Sequence, residues 1–368
     1  MRPNREQGQA LMRVLIASRK LYNASLEELV THYQTTGKSL HLYEQDKRHG
    51  KAEHPDIPAV VVDTTLKRLH RSFGNFFRGR AEGRRVGFPR FKGARRWDTI
   101  QFRDSQHDLR GSYFHAPKLA GGKIRVNVHR PLEGSFKLAR VVLRPSGWYL
   151  QCVVEREPSP LPPLDNAIGL DMGITYLVAD SDGRMVANPK NLQAGAETLA
   201  KAQRRMAKAK KGGHRRRKLG RIVARHHERI ANRRKDTLHK VARRYVNGYQ
   251  KIAIEDLRPA NMVRNHSLAR SISDASWGML RSLLTSKAEE AGRELIAVPP
   301  YYTSQMCSGC GAHVQKSLSV RTHVCPGCGY VADRDTNAAK NILNAAVGRS
   351  ARTGPSLRLG EGSGRNVR

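Results

Sequence analysis

The chain has 368 residues, 39% of them hydrophobic, and sets 67 Lys+Arg against 31 Asp+Glu for a formal net charge of +36. That length allows two or three domains with cores of their own. The charge excludes a protein indifferent to polyanions, since phosphates are the partners that neutralise such an excess and release counterions. No apolar run approaches a membrane span, no lipidation motif occurs and no signal-peptide core follows Met1. The expectation is therefore a soluble intracellular protein with no membrane role.

Residues 4–34 have helical spacing, with Leu11, Leu15, Tyr22 and Leu26 on one face. A second helical stretch, about 58–80, carries "LKRLHRSFGNFFRGR", where Phe73, Phe76 and Phe77 alternate with arginines. Such a mixture could stack on bases; packing into a core is the simpler reading. "TGKS" at 36–39 lacks the glycine a phosphate-binding loop needs upstream, because that position is His32. From about 86 to 156 the pattern changes to short strands, with "PSG" at 145–147 as a hairpin turn. The Pro-rich "PSPLPPLDN" at 158–166 marks a linker.

Beyond it come three short strands, "AIGLDMG", "TYLVAD" and "RMVAN", then a long basic helical region. "KIAIEDL", a helix near 276–291, the strand "ELIAV", a cysteine module and a last helix follow. That succession is the order of a ribonuclease H-like domain. Residues 349–368, rich in Gly, Ser and Arg, are expected to be disordered.

The basic region holds 19 Lys/Arg between 201 and 244 against two acids, Glu228 and Asp236, and "KKGGHRRRK" at 210–218 breaks it into two helices. Like charges at i,i+4 destabilise a free helix, so a polyanion is expected to cover this one. Arg204, Arg205, Lys208, Arg215, Arg216, Arg217, Arg221 and Arg225 are the candidate contacts here, with Lys92, Arg95 and Arg96 from the first half. Each duplex phosphate neutralised adds roughly 0.9 to the log-salt slope of binding.

"CSGC" at 307–310 and "CPGC" at 325–328 are two CxxC knuckles 14 residues apart. Four thiolates from Cys307, Cys310, Cys325 and Cys328 at this spacing close a tetrahedron around one structural Zn²⁺ with no open position. His313 and His323 are expected on the surface, and the fifth cysteine, Cys152, in an apolar strand as an inert core residue.

Two apolar strands end in acids, at Asp171 and at Glu255-Asp256. Carboxylates at neighbouring strand ends, joined by one from a crossing helix, suit two Mg²⁺ and phosphodiester hydrolysis. Two like charges about 4 Å apart cost roughly 4 kcal/mol at an effective dielectric of 20 without a cation. For the helix acid, Asp335, Ala339, Ile342 and Ala346 share the small, apolar face that would pack on a sheet. Asp333 points elsewhere and suits an N-cap. Asp335 is the expected ligand.

"GLDMG", "IAIEDL", "SDASWGMLRSLLTSKAEEAGRELIAVPPYYTSQMCSGCG", "DRDTNAAKNIL" and "GFPRFKG" at 87–93 resemble the TnpB (OrfB) proteins of small insertion sequences, relatives of the type V CRISPR nucleases. The resemblance implies a transposon-encoded, RNA-guided DNA endonuclease, working as a monomer per guide RNA on double-stranded target DNA. The guide comes from the transposon end, and one RuvC-type site with two Mg²⁺ cuts both strands. It places the catalytic triad on Asp171, Glu255 and Asp335, choosing Glu255 over Asp256. The implied architecture is multi-domain, α+β and α/β. A helical recognition lobe (1–85) precedes a β-rich, wedge-like barrel (86–157) and the linker. A RuvC-like nuclease follows (167–302) with the basic insertion at 191–248, then the zinc ribbon (303–330), the last RuvC-like helix (331–348) and the tail. Members usually begin with a strand ahead of the segment matching "RPNREQ", so a barrel edge strand is expected to be missing here. No Tyr or DDE transposase constellation is present. The other functions weighed are a catalytically inactive RNA-guided DNA-binding protein and an accessory zinc-ribbon binder of a transposon.

Overall fold

The computed structural model describes residues 1–348 except 50–53, 55, 104–107, 117, 118, 120, 258, 263, 318 and 319. The expected disordered tail, 349–368, lies outside the described residues. The fold mixes helix and sheet and divides into two compact units, Met1–Glu157 and one beginning at Pro158.

In the first unit α1 (Arg5–Thr36), α2 (Leu42–Arg48) and α3 (Ala59–Ala81) precede β1 (Thr99–Phe102), β2 (Leu109–Arg110), β3 (Tyr113–His115), β4 (Lys123–Arg125), β5 (Ser135–Arg144) and β6 (Gly147–Glu155). α1 starts at a capping box, in which Asn4 and Gln7 satisfy each other's backbone N–H, and ends on Gly37 at φ 68°. The strands pair as two antiparallel three-stranded sheets, β1-β5-β6 and β2-β3-β4. Leu11, Leu15, Tyr22 and Leu26 of α1, Leu66 and Leu69 of α3, and Phe102, Phe114 and Val141 from the sheets fill one core. The helical stretch and the strands are thus one packed body. The Met1 amino group donates to the Trp148 carbonyl at 3.0 Å and the Arg2 N–H to the Arg125 carbonyl at 2.7 Å, so the first residues run beside the strands. Cys152 is half-buried, not a core residue, because it lies on β6 at the open edge of its sheet.

The second unit is built on β7 (Ala167–Asp171), β8 (Tyr176–Asp180), β9 (Met185–Ala187), β10 (Lys251–Glu255) and β11 (Glu294–Val298). These form one sheet of order β11-β10-β7-β8-β9, parallel among β7, β10 and β11 and antiparallel through β8 and β9. Between β9 and β10 run α4 (Asn191–Ala207) and α5 (His214–Gly248). α6 (Pro259–Met262), α7 (His266–Ala275) and α8 (Trp277–Ala291) lie between β10 and β11; β12 (Thr322–Val324), β13 (Val331–Asp333) and α9 (Arg334–Val347) come last.

Side chains alternate along the strands and so sort onto two faces. Ile168, Leu170, Ile252 and Ile254 pack with Leu238, Val241 and Tyr245 of α5 and Leu280 and Leu284 of α8. Ala253 packs with Ile342 of α9 on the opposite face. Gly169, also on that face, lets α9 approach closely: a Cβ there would stand 2.0 Å from the Ala339 carbonyl oxygen.

Candidate active site and metal centre

The register puts two acids side by side. Leu170 of β7 pairs with Ile254 of β10, so the next residues, Asp171 and Glu255, end adjacent parallel strands on the face that carries Gly169 and Ala253. That is the face α9 covers. Asp333 caps α9, accepting from the N–H groups of Asp335 at 2.8 Å and Thr336 at 3.2 Å, as its position suggested. Within the first turn of the helix Asp335 is buried, and Ala339 and Ile342 farther along it are fully buried against the sheet.

Burial first, then the neighbouring Glu255 and Asp335, pushes the Asp171 carboxyl up to about 8. Burial raises Glu255 as well, opposed by the hydroxyl of Thr303, which donates to its Oε1 at 2.6 Å. Asp335 is held by two guanidiniums, Arg321 at 3.2 Å and Arg334 at 3.3 Å, and Arg321 also donates to Thr175. Asp256 turns to the other face of the sheet and ion-pairs with Arg281 of α8. That gives a physical reason to separate Glu255 from Asp256, which spacing alone left open. The hard oxygens of the three acids suit a divalent cation, and their mutual charge is what a cation would relieve. Thr303, Arg321 and Arg334 went unassigned in the sequence; Thr303 and Arg321 reach the acids from loops, and Arg334 from the first position of α9.

The four cysteines gather as expected. Their Sγ atoms all lie within 4.8 Å of one another, with Cys307–Cys328 at 3.7 Å and Cys310–Cys325 at 3.6 Å. A tetrahedron of Zn–S bonds near 2.3 Å has edges of about 3.8 Å, so the cluster fits Zn²⁺ and is far too open for disulfides. Both knuckles close alike: Gly311 N–H bonds the Cys307 carbonyl at 2.8 Å and Gly329 N–H the Cys325 carbonyl at 2.9 Å. These glycines sit at φ 83° and 70°, in the left-handed region where a side chain would be strained. His323 is buried, not on the surface, because β12 turns its ring inward toward Tyr330 and Lys316. His313 is exposed and bonds Gln305. Neither is among the four ligand atoms of the cluster. Asn337 and Asn341, one turn apart on α9, tie the module down: Asn337 accepts from Ser308 N–H at 2.9 Å, and both amides donate to the Met306 carbonyl at 2.7 Å.

The cations of α4 and α5 separate into two groups. Arg204, Arg205, Lys208, Arg215, Arg217, Arg221 and Arg225 are exposed, while Val223, Ile230, Leu199 and Ala202 make the seam between the helices. Arg216 differs. Its guanidinium donates to the carbonyls of Met206, Ala207 and Ala209 at 2.9–3.2 Å and so caps the C-terminus of α4. The N-terminus of α4 is held by buried Asp274, which accepts from Leu192 N–H at 2.9 Å and from Arg234 at 2.8 Å. In the first unit Arg96 is exposed and Lys92 half-buried with its amine over the Tyr22 ring, while the side chain of Arg95 is outside those described.

Known proteins resemble this chain. The OrfB_IS605 family profile, described as "Probable transposase", matches residues 150–266, and the Cas12f1-like TNB domain profile matches 277–342. A protein of Streptomyces pristinaespiralis named "Putative RNA-guided DNA endonuclease" is 35% identical over 365 residues, covering 95% of this chain and 88% of its own. The chain belongs to the TnpB family. InsQ of Escherichia coli K12, which carries the same descriptive name, is 33% identical over 308 residues, 79% of this chain and 75% of its own. A solved Cas12f1 in complex with sgRNA and target DNA shares the fold, with a TM-score of 0.58 at 14% identity over 91% of this chain and 82% of that one.

Proposed function

We propose that the protein is an RNA-guided DNA endonuclease encoded by a transposable element. The observation that carries this reading is the meeting of Asp171, Glu255 and Asp335 on one face of a sheet, in a chain of net charge +36. The sheet order β11-β10-β7-β8-β9 is a ribonuclease H-like arrangement, a frame on which carboxylates at strand ends serve phosphodiester chemistry. The names of the relatives give the guide and the target their classes, RNA and DNA.

Asp171, Glu255 and Asp335 would hold two Mg²⁺, which supply an activated water and a counter-charge for the leaving oxygen. Thr303 fixes the rotamer of Glu255 through its hydroxyl. Asp333 anchors the first turn of α9 and with it the position of Asp335. Arg321 and Arg334 ion-pair with Asp335 and hold its carboxylate in place. Cys307, Cys310, Cys325 and Cys328 hold a structural Zn²⁺. Exposed cations of α4 and α5 carry the nucleic acid backbone, and base pairing with the guide carries target choice.

The test is to express the chain together with the DNA that flanks its gene, sequence the RNA that copurifies, and challenge the complex with matched target plasmids. Cleavage that needs a divalent cation and a matched target, and that Asp171→Ala abolishes, is the expected result. A complex that retains RNA and target but never cuts would sink the nuclease assignment.

A further inference from the structure

After α3 the chain doubles back and carries "GFPRF" (87–91) along the end of that helix. The base of this loop is pinned, because Arg84 N–H bonds the Gly79 carbonyl at 2.8 Å and a Cβ at Gly79 would strike Val86 at 2.3 Å. Its far end is pinned too: Lys92 N–H donates to Asn23 Oδ1 at 2.8 Å, and Asn23 Nδ2 donates to the Lys92 carbonyl at 3.2 Å. Between these clips the loop displays aromatics instead of burying them. Phe91 is 59% exposed and Phe88 49%, and on α3 Phe77 is 59% exposed, although Phe73 and Phe76 back them edge-on at 5.3 and 5.4 Å from Phe88. The expectation that all three phenylalanines of α3 are core thus holds for Phe73, which packs on the core, and fails for Phe77.

The loop closes one wall of a cavity of about 350 Å³ whose lining includes Asn75, Phe88, Arg90, Phe91, Lys92 and Arg96, with no carboxylate among its lining residues. Burial lowers the pKa of Lys92, and the cations Arg68 and Arg96 nearby act in the same direction. An exposed apolar ring beside three cations matches a flat aromatic base joined to a phosphate; a protein partner would not need both. We infer that this aromatic, basic cleft holds an unpaired nucleotide of the bound RNA, its base against Phe91 and Phe88 and its phosphate toward Arg90, Lys92 and Arg96. RNA is the occupant because a folded RNA presents unstacked loop bases, whereas the bases of a target duplex are already stacked and paired. The choice of RNA rests on the RNA-guided reading above; the cleft itself does not depend on the acids of the second unit.

The experiment uses the full-length chain with fluorescent decauridine RNA and a fluorescent DNA duplex as probes, and reads binding without any cleavage step. Phe91→Ala is expected to weaken decauridine binding roughly fivefold or more, as lost base stacking does. The factor should be the same at low and high salt, since stacking is not ionic, and Phe91→Trp should restore it. Arg90→Gln should instead flatten the salt dependence. Irradiation at a wavelength near 254 nm should crosslink decauridine to the peptide containing residues 88–91. Phe91→Ala binding within twofold of the parent, or crosslinks that fall only elsewhere, would overturn the site. An equal loss for the DNA duplex, whose bases are already paired, would overturn its assignment to an unpaired RNA base. A change in self-association with RNA affinity intact would make it an interface between copies. Failure of cleavage with normal decauridine binding would count against the nuclease reading and leave this one standing.

Discussion

Gly169→Ala tests whether α9 is held at the distance the proposed active site needs. The added Cβ would stand 2.0 Å from the Ala339 carbonyl oxygen, 2.8 Å from Leu343 N and 2.9 Å from Leu343 Cβ, where ordinary contact begins at 3.4 Å. Two of the three obstacles are helix backbone, so no rotamer change relieves the clash, and α9 must move off β7 by more than 1 Å. Overpacking of this kind costs about 1–3 kcal/mol. Asp335 rides on the same helix, and a misplacement of about 1 Å in a reacting constellation costs about a hundredfold in rate. The expected variant therefore melts several degrees lower, stays folded, binds RNA normally and cuts matched DNA about a hundredfold more slowly. Gly74→Ala is the control: it lies in α3 with nothing within 4 Å of its new Cβ and should stabilise by about 0.5–1 kcal/mol. A Gly169→Ala protein that melts and cuts like the parent would refute the proposed seating of α9.

The two acids at the start of α9 should separate cleanly. Asp335→Ala is expected to abolish divalent-dependent cleavage and spare RNA binding, whereas Asp333→Ala should cost about 0.5–2 kcal/mol in thermal or urea unfolding, as a lost cap does; full cleavage by the Asp335 variant would disprove its role. For pH, the Asp171 pKa is raised in the folded state to about 8, so the folded chain holds a proton there that the unfolded chain has released. Stability without added divalent cation should therefore fall as pH rises from about 4 to 8, with Glu255 acting in the same direction. Asp171→Asn should flatten that part of the melting-temperature profile, and added Mg²⁺ should stabilise more at pH 8 than at pH 6. Cys325→Ser should lose tightly held zinc in a metal measurement, because a cluster with Sγ spacings of 3.6–3.7 Å depends on every corner; stoichiometric zinc in that variant would contradict the four-cysteine site.

Local pattern made much of this legible. The strand endings at Asp171 and Glu255, the knuckle spacing, the face of α9 with Ala339 and Ile342, and the break between α4 and α5 follow from periods and turn residues that act over a few positions. What sequence did not reveal is long-range. Arg216 looks like one more cation in a basic run, yet it caps a helix seven to ten residues behind it. His323 looks polar and ends up buried, because only the pairing of β12 with β13 decides which way its ring turns. Thr303 is an unremarkable residue in a loop until the fold brings it 2.6 Å from a residue 48 positions earlier. The helices before residue 86 and the strands after it differ in pattern, but their apolar faces belong to a single core. Periodicity shows which side of an element is apolar and is silent on what that side meets.

The last helix carries a consequence that joins the two candidate metal sites. One face of α9 presents Asp335, Ala339 and Ile342 to the sheet; another presents Asn337 and Asn341 to the loop that leads into the first knuckle. That loop also supplies Thr303, whose carbonyl accepts from Asn341 while its hydroxyl donates to Glu255. Arg321, between the knuckles, reaches Asp335 itself. The cysteine module is therefore built into the support of two of the three carboxylates. Its fold is small and depends on four thiolates held together, so whatever fixes the knuckles also fixes Thr303, the asparagine clamps and the start of α9. The proximity of "CPGCG" and "DRD" in the chain has a physical use. The four-cysteine cluster thus braces the residues that hold Glu255 and Asp335, and the short connection from Cys328 through β13 to Asp335 leaves little slack between them.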